Sequence, residues 1–178
     1  MYPAERNAMP FDIEFHQSPQ DIADTAVFPV YKGGAFTAAT QEQDNDLSGL
    51  LSRALEKNPQ FSGKAGQTVA VATPESSAYG RIVLLGLGER EKLDADSCET
   101  IGGKLFLTLQ ALGAVKVEFF LDDADEVENI SLAERGAHIA AGLSLRGYRF
   151  DKYKTRKDEE DEESNDLQSV HFITEDAS

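Results

Sequence analysis

Apolar and polar residues alternate through Phe11-Asp12-Ile13-Glu14-Phe15, a period of two that predicts a strand with one buried face. Ala26-Val27-Phe28-Pro29-Val30-Tyr31 predicts a second strand, in which Pro29 lacks a ladder donor and so argues for an edge position or a bulge. From Asp44 the period lengthens. Leu47, Leu50, Leu51, Ala54 and Leu55 recur at helical spacing and stop at Asn58-Pro59, which predicts one short amphipathic helix. Thr68–Ala72 and Arg81–Leu85 read as strands, and the second, apolar throughout, suits a central strand covered on both faces. Cys98, Ile101, Leu105, Leu109 and Leu112 then form the stripe of a helix that Gly113 ends. Gly102-Gly103 inside it cost about 1 kcal/mol each relative to alanine, so close packing of this helix on a sheet is the expected compensation. Val115–Leu121 returns as a strand, and the strand–helix–strand succession makes part of the sheet parallel. Ser131-Leu132-Ala133-Glu134 has the capping-box pattern and opens a helix through Ala137, Ala140 and Ala141 to about Leu145. Ser169–Ile173 alternates again and is a candidate last strand.

Composition narrows the class. A chain of 178 residues, 40% of them hydrophobic, closes a core without disulfides or a structural metal. The single cysteine, Cys98, excludes an internal bridge or a zinc cluster and favours a reducing compartment. Seventeen Lys and Arg against 32 Asp and Glu leave a formal charge of −15, which makes nucleic acid an unexpected partner. No apolar run approaches the roughly 18 residues of a membrane span, and Met1–Pro10 has neither a basic nor an apolar region of a signal peptide, so a cytoplasmic protein is expected. The expected organisation is a flexible lead-in over 1–10, a folded domain over 11–157, and an acidic linker with the candidate strand over 158–178. The linker opens on Asp158–Glu163, six consecutive acids that should stay solvated.

Candidate chemistry is sparse. Gly86 and Gly88 follow an apolar strand as a dinucleotide-binding turn would, but Glu91 stands where the third glycine belongs and no Gly-Lys-Ser or Gly-Lys-Thr occurs; a plain strand-to-helix connection is expected. His16, His138 and His171 are scattered, and the acids at Asp122-Asp123, Asp125-Glu126 and Asp158–Glu163 read as solvated loops rather than metal ligands. No Gly-x-Ser-x-Gly elbow is present, and Cys98 on a buried stripe reads as a small apolar residue. The unusual segment is Arg146-Gly147-Tyr148-Arg149-Phe150-Asp151-Lys152-Tyr153-Lys154, which mixes cations with three aromatics. Such a mixture can stack on nucleic acid, but its acidic neighbour cancels the field, and an intramolecular or subunit contact is the preferred reading.

Leu84-Leu85-Gly86-Leu87-Gly88-Glu89, the helix with Gly102-Gly103, and then Gly147-Tyr148-Arg149-Phe150-Asp151-Lys152-Tyr153-Lys154 resemble, in order and spacing, the amino-terminal domain of the leucyl (cytosol) aminopeptidases, peptidase family M17. The resemblance implies an α/β fold of three layers, a mixed, mostly parallel sheet flanked by helices, similar to the macro domains that bind ADP-ribose. It implies a parent metallo-exopeptidase that releases N-terminal amino acids from peptides, assembled as a homohexamer. Two divalent metals, zinc, manganese or magnesium, would be held by acidic residues and a lysine in a separate carboxyl-terminal catalytic domain. The Asn-Thr-Asp-Ala-Glu-Gly-Arg element of that domain does not occur in this chain, so no catalytic, metal-binding or cofactor-binding residue is carried over. The expectation is an excised or naturally separate non-catalytic domain that serves assembly, stability or active-site access. Its partner would be the catalytic domain, and Tyr148, Arg149, Phe150, Asp151, Lys152 and Tyr153 form the candidate interaction segment. The alternative is a stand-alone macro-like module that binds ADP-ribose or another nucleotide, a reading supported by fold analogy alone.

Overall fold

The computed structural model describes residues 9–21, 23–122, 127–153 and 166–175, the last four residues of the third segment as backbone only. Among the described residues, seven strands form one sheet: β1 (Asp12–His16), β2 (Thr25–Tyr31), β3 (Ala35–Phe36), β4 (Thr68–Ala72), β5 (Arg81–Gly88), β6 (Lys116–Phe120) and β7 (Ser169–Ile173). Their order is β1-β7-β6-β2-β5-β4, with the two-residue β3 pairing with β2. The first five strands of that order run parallel, while β4 closes one edge antiparallel to β5 and β3 joins β2 antiparallel. Four α-helices among the described residues cover the sheet: α1 (Ala38–Asp46), α2 (Leu50–Glu56), α3 (Ala95–Ala111) and α4 (Leu132–Tyr153). The larger core packs Val27, Val83, Leu85, Val117, Phe119, Val170 and Phe172 against the apolar stripes of α3 and α4. A smaller one packs Ala26, Phe28, Val30, Ile82 and Leu84 against Leu51 of α2 and its neighbours. The three-layer α/β fold expected from the sequence is therefore present, and the candidate last strand is an inner one, between β1 and β6.

Four local expectations are corrected. β2 is an inner strand, so Pro29 does not mark an edge. β6 pairs with β2 only through Val27, and β3 begins at Val30. Pro29 sits in the gap, where its carbonyl accepts the Thr40 hydroxyl at 2.7 Å and a ladder donor is not required. The bulge alternative is met one residue later, where the β2–β5 register shifts between Val30 and Tyr31.

The single helix expected from Asp44 to Asn58 is two. Ser48 and Gly49 adopt left-handed φ values of 55° and 78°, and the buried Asp44 carboxylate accepts the Leu51 N–H at 2.7 Å and the Ser52 N–H at 3.1 Å, capping α2. α1 has no apolar stripe to announce it; Thr37 caps it and tertiary contact holds it.

Gly102 packs on a helix, not on the sheet. A Cβ there would lie 2.1 Å from the Ile139 carbonyl oxygen of α4, and one on Gly142 would lie 2.0 Å from the Glu99 oxygen of α3. The two glycines let α3 and α4 cross backbone to backbone. Finally, α4 opens on the expected capping box, in which Ser131 Oγ accepts the Glu134 N–H at 3.2 Å and Glu134 Oε2 accepts the Ser131 N–H at 2.9 Å. It runs past Leu145 to Tyr153, because Ile139, Ala140, Leu143 and Gly147 continue a buried stripe at helical spacing.

Candidate functional site

In open parallel sheets, ligands bind at the carboxyl ends of the strands, and here β2 and β5 end side by side. The Lys32 N–H donates to the Gly88 carbonyl at 2.9 Å. Residues 62–67 cross over this end. The Gly86 N–H donates to Gln67 at 2.7 Å, the Gly88 N–H to Gly63 at 2.8 Å, and the Gly66 N–H to Gly86 at 2.8 Å. A Cβ on Gly86 would come within 2.1 Å of the Lys64 carbonyl oxygen. Gly86 and Gly88, which lie within β5 and not in a turn after it, thus admit a neighbouring loop, and their N–H groups are occupied within the domain. Neither is left to cradle a phosphate.

Beside this strand end lies a cleft of about 210 Å³ lined by Lys32, Lys64, Gly88, Glu89, Lys92 and Ser97. Lys32 Nζ reaches Glu89 Oε1 at 2.5 Å and Lys92 Nζ reaches Oε2 at 2.7 Å. The hydrogen bond from Lys32, followed by that from Lys92, holds the Glu89 carboxyl down to about 2, and Glu89 in turn raises Lys92. Next to this edge, the buried Tyr31 hydroxyl accepts from Arg135 at 2.9 Å while the Arg90 guanidinium lies 4.2 Å over its ring. These contacts tie β2, the turn after β5 and α4 together.

The candidate interaction segment lies on the last turns of α4. Gly147 faces inward, where a Cβ would meet the Phe11 ring at 2.6 Å and the Phe106 ring at 3.2 Å. Arg149 is exposed and Tyr148 is 38% exposed, while Gly147 seats this stretch against the Phe11 and Phe106 rings. Arg146 and Arg149 face Asp96 and Glu99 across an open groove of about 460 Å³ between α3 and α4, and Leu145, 52% exposed, lies on its wall. Phe150, Asp151, Lys152 and Tyr153 continue the helix as backbone. The acid run Asp158–Glu163 lies outside the described residues, as do Asp123, Asp125 and Glu126.

The histidines do not stay scattered. His138 bonds Glu99 at 3.0 Å on the helical face. The rings of His16 at the end of β1 and His171 within β7 lie with centroids 4.9 Å apart, tilted by 33°, and His16 Nε2 bonds Glu14 Oε2 at 2.8 Å. No sequence spacing announces this pair; its only trace is that both residues, with Glu14, fall on the polar phase of alternating strands. Deeper on the same sheet face, fully buried Glu118 accepts the Tyr79 hydroxyl and the Gln20 N–H. Burial first, and then that carboxylate, raise the Tyr79 hydroxyl well above the ordinary tyrosine range. Cys98 is fully buried, and burial pushes its thiol up to about 11, so it is no nucleophile at neutral pH.

Among the described residues, Glu14, His16 and His171 form the one grouping of potential metal ligands, and with two histidines, one carboxylate and no lysine it does not fit the acid-and-lysine two-metal centre implied by the family resemblance. Among the described residues, no helix is long and apolar enough to cross a membrane.

Residues 27–157 match the model of the "Cytosol aminopeptidase family, N-terminal domain". Over 164 residues the chain is 34% identical to a "Probable cytosol aminopeptidase" of Agrobacterium fabrum (strain C58 / ATCC 33970), covering 92% of this chain and 32% of that protein. Among solved structures it is similar to a mutant of tomato leucine aminopeptidase, with a TM-score of 0.69 at 23% identity over 93% of this chain and 32% of the other. It is also similar to the macrodomain of Mycobacterium tuberculosis DarG, with a TM-score of 0.62 at 9% identity over 92% of this chain and 99% of the other. The last two likenesses concern the fold. The chain spans about a third of the length of the aminopeptidases it matches.

Proposed function

This chain belongs to the cytosol aminopeptidase family as its N-terminal domain, and from that premise we propose that it is a non-catalytic module of a cytoplasmic, leucyl-aminopeptidase-like exopeptidase. It would serve the assembly, stability or active-site access of a carboxyl-terminal catalytic domain. The observation that carries this reading is the extent of the match: nearly the whole chain aligns with a relative, but with only 32% of that relative's length. The hydrolytic chemistry would belong to the catalytic domain, which would hold two divalent metals, zinc, manganese or magnesium, and join a homohexamer. The unit would comprise residues 11–157 with β7 added beyond the acidic linker that begins at Asp158, after a lead-in over 1–10.

The outer face of α4 is our candidate contact with the catalytic domain, because Leu145 and Tyr148 expose apolar surface there beside Arg146 and Arg149. The purified chain should release no leucine from a leucyl amide with added manganese or zinc. It should bind the catalytic domain of a cytosol aminopeptidase, and Leu145→Asp with Tyr148→Asp should weaken that binding at least tenfold. Turnover that purifies with the chain and disappears on mutating it would refute the non-catalytic reading, and binding unaltered by the substitutions would refute the contact. The alternative reading, a module that binds ADP-ribose or another nucleotide, rests on the macrodomain-like fold. The occupied N–H groups of Gly86 and Gly88 weigh against it. Amide NMR shifts on titration with ADP-ribose distinguish the two.

A further inference from the structure

The parallel pairing of β1, β7 and β6 places Glu14, His171 and Glu118 in one register row across three strands. Residues in register on neighbouring strands stand about 4.8 Å apart and point to the same face, and the period of two adds His16 to that face. The row therefore sets a histidine between two glutamates, beneath a second histidine. Ligand atoms of Glu14, His16 and His171 all lie within 4.8 Å of one another. His171 is 7% exposed, and its buried Nδ1 has no hydrogen-bond partner among the described residues. A buried imidazole nitrogen without a protein partner is an arrangement that folded proteins rarely leave unused. The other two groups stay accessible, with the His16 side chain 26% and that of Glu14 53% exposed, so two of the three donor side chains can be reached from solvent.

We propose that Glu14, His16 and His171 bind a divalent transition-metal ion of the zinc class. Two neutral imidazoles and a carboxylate are the borderline donors that zinc accepts, with water completing a four-coordinate site. Bonds of about 2.0–2.1 Å require ligand atoms about 3.3 Å apart, so the cluster must contract. The two partly exposed side chains can supply that movement by rotation about their own bonds, while His171 stays on its inner strand. Binding replaces the His16–Glu14 hydrogen bond and ties edge strand β1 to β7. Glu118 is already engaged by Tyr79 and Gln20 and stands behind the site as a fixed buried acceptor. The predicted consequence is stabilisation of the edge strand by occupancy.

The test uses the tag-free chain with Zn²⁺ and Co²⁺ as probes. Titration against a chromophoric chelator should show one ion per chain bound at micromolar or tighter affinity, and Co²⁺ should give the intense visible bands of a four-coordinate N/O site. Glu14→Gln and His16→Asn, which alter accessible side chains, should each weaken binding at least tenfold and abolish the cobalt bands. His171→Asn should do the same if it folds. His138→Asn should leave binding unchanged, because His138 lies on the helical side with Glu99. Affinity that survives in Glu14→Gln and His16→Asn places the ion elsewhere, on the acidic segments for example, and overturns the proposal. Absence of binding tighter than millimolar, or of the cobalt bands, overturns it too. None of these outcomes depends on aminopeptidase activity.

Discussion

Gly102 and Gly103 are neighbours on one helix, yet substituting each by alanine should change stability in opposite directions. At Gly103 an added Cβ meets nothing closer than 3.9 Å, so the variant gains the helix preference of alanine, up to about 1 kcal/mol. At Gly102 the same methyl would stand 2.1 Å from the Ile139 carbonyl oxygen and 2.9 Å from the Leu143 nitrogen, both backbone atoms of α4 that cannot rotate aside. Relief requires α3 and α4 to part by about 1 Å, which loosens the packing of Ile101, Leu105, Ile139 and Leu143, all 0–1% exposed. Overpacking of this kind costs about 3 kcal/mol at the upper end of its range, and the alanine preference returns about 1, leaving a net loss of about 2 kcal/mol. For a chain of this size that lowers the melting temperature by roughly 4–8 °C, while Gly103→Ala raises it by up to roughly 4 °C. Gly142→Ala should match Gly102→Ala, because its Cβ would meet the Glu99 oxygen at 2.0 Å. The double variant should lose less than the sum, since one separation of the helices relieves both clashes. Urea unfolding followed by circular dichroism measures all four proteins. Equal stabilities for the Gly102 and Gly103 variants, or strict additivity in the double variant, would refute the backbone crossing as the reason for these glycines.

Two further predictions concern ionisation. Cys98 should react with a thiol reagent only as fast as the chain opens, at least a hundredfold slower at pH 8 than in urea, and rapid labelling of the native chain would contradict its burial and raised pKa. Glu89, Asp94 and Glu134 all ionise below their ordinary values, held by the Lys32 hydrogen bond at Glu89 and by backbone donors of Ser97 and Ser131 at the two helix caps. At Asp24 burial acts upward, but hydrogen bonds from Lys116, Thr25 and Arg81 outweigh it. A depressed carboxylate pKa stabilises the folded state above its unfolded value and ceases to do so as pH falls through the folded one. The melting temperature should therefore fall between about pH 4.5 and 2, with a shallower fall in Glu89→Gln; identical acid limbs for the two proteins would show that the lysine clamp contributes nothing.

The elements legible in the sequence were those whose evidence is local. β4 matches its apolar run residue for residue, the capping box at Ser131 opens α4, and the stripe from Cys98 to Leu109 is the buried face of α3, because strand period, cap chemistry and helix period are all written within a few residues. The motif resemblance likewise rested on contiguous residues, and it sufficed for the family and the three-layer class. Tertiary structure decided what contiguity cannot express. Pro29 sits in an inner strand because β6 ends where β3 has yet to begin, and α1, without an apolar stripe, is held by Thr37 and by the bond from Thr40 to Pro29. Gly102 answers to Ile139 across a helix crossing rather than to the sheet. Above all, His16 and His171 became neighbours because β7 inserts between β1 and β6, a pairing made by hydrogen bonds between distant backbones that are indifferent to side-chain identity. Periodicity determines which face of a strand a residue occupies, but strand order determines which residues share that face, and only the closed sheet sets the order.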